Sequence, residues 1–168
     1  MKYVLCAALA VSFIMPGTSL AQNNRTIVVE SRHDPVKKWA SAVSQDLESR
    51  LIYPTYDGRG PTPTGIVTVR FNCAGDGKAS NVVVTRHSGD RRLDRAAIYA
   101  VSHLKSLHPL PGLLATNQRV QANVFFASSE DQLMSQTAQL RRERAKAVAA
   151  GKDDNQTVAL NLDVRASG

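Results

Sequence analysis

Few residues in this 168-residue chain could do chemistry, and their spacing limits what that chemistry could be. Histidines stand at positions 33, 87, 103 and 108. Two imidazoles bind one metal from a helix when they are four residues apart, on the same face. His103 and His108 are five apart. Cys73 has no CxxC partner. The stretch "HSGD" places His87, Ser88 and Asp90 within four residues, but a nucleophile relay needs convergence in space that sequence neighbours rarely reach. "YDGRGPTPTG", residues 56–65, is rich in glycine but runs into a strand. A phosphate cradle needs a helix N-terminus there. These patterns imply no catalytic residue, no metal site and no cofactor. A periplasmic hydrolase or metal-binding protein is the lowest-ranked alternative.

The elements that carry these residues belong to an ordinary globular mixture, 43% hydrophobic and 21% charged. The length suits one domain with extensions. The first 21 residues, "MKYVLCAALAVSFIMPGTSLA", differ: Lys2 precedes an apolar run from Tyr3 to Met15, and Pro16-Gly17 breaks it. The run falls short of the roughly 20 residues that span a bilayer. Small residues at Ser19 and Ala21 suit a signal peptidase. The expectation is a signal peptide over 1–21, cleaved after Ala21, with no stable membrane span afterwards. Cleavage removes Lys2 and Cys6, leaving Cys73 alone, so no internal disulfide can form. The net charge of +7 falls by one. Arg91, Arg92 and Arg95, and Arg141, Arg142 and Arg144, fit solvated helix faces. In an exported chain that charge suits acidic protein surfaces, and no nucleic acid is expected.

Residues 22–34 form a lead-in, with a short strand pattern in "RTIVVES". Asp34 and Pro35 open a first helix, with Val36, Trp39, Ala40, Val43, Leu47 and Leu51 on one face. Pro54 ends it by forcing Tyr53 out of helical geometry. "IVTVRFNC" alternates as a strand, Asp76-Gly77 makes a hairpin turn, and "KASNVVVTRH" returns. "SGD" leads into a second helix, about 91–105, ended by "HPLPG". "RVQANVFFAS" is a third strand. Residues 129–168 add a charged helix over 130–150, with a thin stripe at Leu133, Ala138 and Leu140. "TVALNLDV" then alternates as an extra strand whose pairing partner the pattern does not name. The fold class is α+β: a small antiparallel three-stranded sheet with two helices packed on one face, plus a C-terminal helix and extra strand.

In order and spacing, several pieces together resemble the TonB C-terminal domain family, in its TonB/TolA-like variant. They are Tyr53-Pro54, Gly65 leading "IVTVRF", Asp76-Gly77, "NVVVTRHSGDRRLDRAAIYAV", "HPLP" and "VQANVFF". The resemblance covers about residues 35–128. Its turn has a physical reading: Ser88-Gly89-Asp90 bends the chain out of the strand, and Asp90 caps the helix. Leu93 begins the buried face, Asp94 adds charge to the first turn, and Ala96 and Ala97 let the helix lie close to the sheet. His87 stands where the family often has serine and is read as a surface variation.

The resemblance implies an exported periplasmic binding module that engages an envelope or outer-membrane protein by adding a partner strand to a sheet edge. The candidate edge is the third strand, with Gln121, Asn123 and Phe125 facing outward. The alternative is that the extra strand 157–164 covers that edge. A paired edge would also make a homodimer. An energy transducer needs a membrane anchor and a long linker. Cleavage after Ala21 would leave neither, so the anchored short transducer is the second reading.

Overall fold

A computed structural model describes residues 35–54, 61–152 and 157–165. The expected signal peptide, the lead-in and the Asp34 cap lie outside the described residues. Helix α1, Pro35–Arg50, has Pro35 at its first position, where its missing N–H costs nothing. Trp39, Val43 and Leu47 are buried four residues apart, a stripe that one helical face presents at that spacing. The Trp39 indole nitrogen donates to the Leu107 carbonyl at 3.0 Å, so this large side chain is buried without stranding its polar atom. Asp46 joins α1 to the segment after the second helix, accepting from the Lys105 and Ser106 backbone N–H groups at 2.7 and 3.1 Å. Burial alone would raise its carboxyl pKa, but these bonds and the Arg50 guanidinium outweigh it and hold the group below its ordinary range.

Strands β1, Gly65–Cys73, and β2, Ala79–Arg86, form the expected antiparallel hairpin. In its turn the Ala74 N–H donates to the Lys78 carbonyl at 2.9 Å and the Asp76 carboxylate accepts from the Lys78 N–H. Helix α2, Arg91–Ser102, buries Leu93, Ala97, Ala100 and Val101. It ends at His103, sooner than the sequence pattern suggested, although Leu104 still reaches the core. Strand β3, Arg119–Ala127, pairs antiparallel with β1. Helix α3, Glu130–Ala149, starts at an N-cap where Ser129 accepts from Gln132.

Strand β4, Val158–Arg165, is the extra strand, and it lies parallel to β3 from Val120↔Val158 to Ala127↔Arg165. Parallel neighbours need a crossover connection, which α3 supplies. The sheet has four strands in the order β2-β1-β3-β4. This corrects the expectation of β3 as an open edge: β3 is an interior strand with β1 on one side and β4 on the other. The physical reason is that Leu160, Leu162 and Val164 extend the same buried face as Val120, Ala122, Val124 and Phe126, so pairing there completes the core.

Helices α1 and α2 cover that face, with Trp39, Val43, Leu47, Leu93 and Val101 in one cluster with Val67, Val69, Phe71 and Cys73. On the other face, Leu133 of α3 packs with Ile66, Phe125 and Ala127. Cys73 is fully buried, and burial pushes its thiol pKa up to about 11. It stays protonated and is a poor nucleophile at neutral pH.

Trp39→Ala is expected to cost about 3–5 kcal/mol in urea-induced unfolding, the range for truncating a buried aromatic. A loss below about 1 kcal/mol, the scale of an ordinary surface change, would mean that α1 is peripheral to the core.

Candidate functional site

Two regions hold the residues singled out by sequence: the corner where β2 turns into α2, and strand β3. At the corner, Gly89 has φ +98°, a left-handed value open to glycine. Asp90 is the N-cap, extended at φ −120° and ψ 120°, and its carboxylate accepts from the Arg92 N–H at 2.8 Å. The Arg92 guanidinium, and then its backbone N–H, hold the Asp90 carboxyl down at about 2.

Asp94, 9% exposed, does more than charge the first helical turn. It accepts from the Ser88 N–H at 2.9 Å, the Ser88 hydroxyl at 2.8 Å and His87 Nδ1 at 2.7 Å. Burial would raise its carboxyl, yet these donors outweigh burial and keep it below the ordinary carboxylate range. His87, read from sequence as a surface variation, is thus a direct partner of this carboxylate. The geometry is not a relay for a nucleophile, which needs the hydroxyl to donate to the imidazole. Here both groups donate to the same carboxylate.

The other family-pattern residues gather at this corner. A Cβ on Gly65 would stand 2.7 Å from the Ser88 carbonyl oxygen, so the start of β1 and the Ser-Gly-Asp turn touch only because residue 65 lacks a side chain. Tyr53 packs edge-on against Phe126 with ring centroids 5.5 Å apart, and its hydroxyl donates to the Pro63 carbonyl. Burial first, and then the nearby Asp90 charge, raise the Tyr53 pKa. Tyr53 and Pro54 therefore lead from α1 toward the same corner. Asp76 and Gly77 lie apart, in the β1–β2 turn. Of the remaining histidines, His108 Nε2 meets the Ala74 carbonyl at 3.0 Å, and His103 stacks on Tyr99.

On β3, the outward residues are largely enclosed. Phe125 is 2% exposed and Asn123 is 3% exposed. The Asn123 Oδ1 accepts from the Thr68 hydroxyl at 3.1 Å and from Gln121 Nε2 at 3.3 Å, while its Nδ2 donates to Asn161 Oδ1 at 3.0 Å. The three residues share one face but present no free edge. No sequence pattern marks the Asn123–Asn161 bond, because nothing in the alternation of β4 identifies β3 as its neighbour.

Two edges remain. Strand β2 has register shifts against β1, between Thr68/Val69 and between Arg70/Asn72, and Asn81 has φ +50°. Such irregularity blunts an edge. Strand β4 is paired continuously for eight residues, and among the described residues nothing pairs with its outer side. No helix among the described residues is long and apolar enough to cross a membrane.

An α+β sheet with this hairpin, crossover helix and capped corner resembles a TonB C-terminal type of domain. Residues 62–128 match the family model for the Gram-negative bacterial TonB protein C-terminal. The chain is 33% identical over 106 residues to the protein TonB of Haemophilus influenzae, a match covering 62% of this chain and 39% of that protein. It is 31% identical over 94 residues to the protein TonB of Pasteurella multocida, covering 55% and 36%. The matches thus span well under half the length of either relative. No solved structure matches.

Asp94→Asn is expected to destabilise the fold by roughly 1.5–3 kcal/mol at neutral pH, the range for hydrogen bonds to a charged group. A carboxyl lowered on folding takes up its proton less readily in the folded chain than in the unfolded one. Its contribution is therefore full above the unfolded value of about 3.9 and is lost as pH falls through the lower folded value. Unfolding curves of both proteins from neutral to acid pH should converge toward the acid end; a constant gap would contradict the assignment. Gly65→Ala should cost about 1–3 kcal/mol through overpacking against Ser88, measured the same way.

Proposed function

We propose that this chain is an exported, non-catalytic protein-binding module of the bacterial cell envelope. It takes up an extended segment of an envelope or outer-membrane protein on the outer edge of β4. The observation that carries the reading is the uninterrupted eight-residue register of β4 as the last strand of the sheet. In strand addition, backbone N–H and C=O groups supply affinity and alternate side chains supply choice. A flat edge meets that need better than the bulged β2. The match of residues 62–128 to the TonB C-terminal family model supports a role in the envelope, and the TonB name of both relatives makes outer-membrane transport the setting to examine first.

The site differs from the one expected from sequence. Gln121, Asn123 and Phe125 would not meet the partner through an open β3 edge; β4 fills that place, and the partner would add one strand further out. The proposed organisation keeps a leader over 1–21 and a lead-in over 22–34. Strand β4 joins the sheet built by β1, β2 and β3, and α3 packs on one face of it.

A photo-crosslinking side chain placed at Arg165 on β4, and separately at Val83 on β2, tests the edge in living cells. Both positions are exposed, Val83 at 55%. Adducts with an outer-membrane protein are expected from position 165. Adducts from position 83 alone would sink the β4 reading, and adducts between two copies of the chain would replace it with a homodimer edge. Intact mass of the protein from periplasmic and membrane fractions tests export. A periplasmic species beginning at Gln22 is expected; a membrane-held species retaining Met1 would support the anchored transducer instead.

A further inference from the structure

The sheet face turned toward α3 is apolar only at one end. Three rows cross it in register: Ile66–Phe125–Asp163, then Thr68–Asn123–Asn161, then Arg70–Gln121–Ala159. Helix α3 closes the first row, with Leu133 buried and Leu140 partly buried against Ile66 and Phe125. Between its later turns and the two polar rows lies a cleft of about 820 Å³. A helix laid over a sheet normally buries apolar side chains, and sheltering polar ones costs free energy unless each is satisfied.

The floor of this cleft is an ordered amide row. Thr68 and Gln121 donate to Asn123 Oδ1, and Asn123 donates to Asn161 Oδ1. Asn123 is satisfied at both ends of its amide, but its two amide neighbours each have one half left over: among the described residues, Gln121 Oε1 and Asn161 Nδ2 have no partner, and both residues line the cleft. The walls are basic. Arg70, Arg141, Arg144 and Lys152 line the cleft, and none of their side chains pairs with a carboxylate among the described residues. Glu143 is committed to Arg86, which leaves Asp163 as the one acid of the lining without an ion pair among the described residues.

We infer that this cleft is a second binding site, for an acidic peptide segment. A free amide acceptor beside a free amide donor matches the N–H and C=O of a peptide group. Arginine forks match carboxylates in bidentate geometry. A single-stranded nucleic acid would need aromatic platforms for its bases, and the aromatic in the lining, Phe125, is 2% exposed. The site uses side chains on a face of the sheet, whereas strand addition uses the backbone of β4, so it stands apart from the edge reading.

The test is fluorescence anisotropy with the full chain and a fluorescein-labelled peptide of alternating glutamate and glycine. The parent protein is expected to bind it. The double change Arg141→Glu with Arg144→Glu should weaken binding at least about tenfold, equivalent to about 1.4 kcal/mol. Asn161→Ala should weaken it several-fold. Arg142→Glu, on the same helix but outside the cleft, should leave it within about twofold, well under the 1.4 kcal/mol of a tenfold change. All four positions are exposed, and thermal melts confirm that each variant folds. Equal weakening by Arg142→Glu, or no weakening by Asn161→Ala, would reduce the effect to overall charge and overturn the site. So would failure of the parent to bind, or unchanged binding by the double variant.

Discussion

The parallel pairing of β4 on β3 is the constraint on which the rest of the molecule depends. Eight residue pairs in one register place Leu160, Leu162 and Val164 over the same apolar face as the antiparallel strands. They also force the connecting chain to travel from the end of β3 back to the level of its start, and α3 is that return path. Because α1 and α2 already cover one face, the return runs over the other. The polar rows of that face, the basic cleft above them and the outward displacement of the free edge all follow from one strand taking one place.

A second constraint holds the opposite flank. Asp94 takes three donors from the two residues that follow β2, and the missing side chain of Gly65 lets the start of β1 approach that same turn. The chain enters β1 and leaves β2 at one corner, where Tyr53 also brings the end of α1. A buried carboxylate has a place there because it gives the part-buried Ser88 N–H a partner where the chain leaves the strand. Short polar motifs that look catalytic as letters prove architectural once their bonds are drawn.

Much of this was legible in the sequence. Proline-opened α1, the hairpin around Asp76-Gly77, the Asp90 cap and the alternation of β1, β3 and β4 are local signals, and they found their elements to within a few residues. What stayed hidden was long-range. A two-residue period says that one side of a strand is buried but carries no information about its neighbour. Val158, Leu160 and Leu162 therefore announced a strand without announcing β3. Gln121, Asn123 and Phe125 alternate with the core residues of β3 and were read as facing a partner or solvent, yet that face is sheltered by α3, whose weak apolar stripe gave little notice that it would pack at all. His87 illustrates the same limit at short range: its role became visible only through the distance to Asp94, one helical turn into α2.

The order of the strands along the chain also has a consequence in time. About thirty residues separate the end of β3 from the start of β4. At synthesis rates of roughly 5–20 residues per second, that interval lasts roughly 2–6 s. Throughout it, β1, β2 and β3 exist without the strand that completes them, and the flank of β3 is a bare row of hydrogen-bonding groups of the kind that recruits stray strands. The newborn chain is therefore most adhesive before β4 arrives, and α3, charged and weakly apolar, is what occupies that interval.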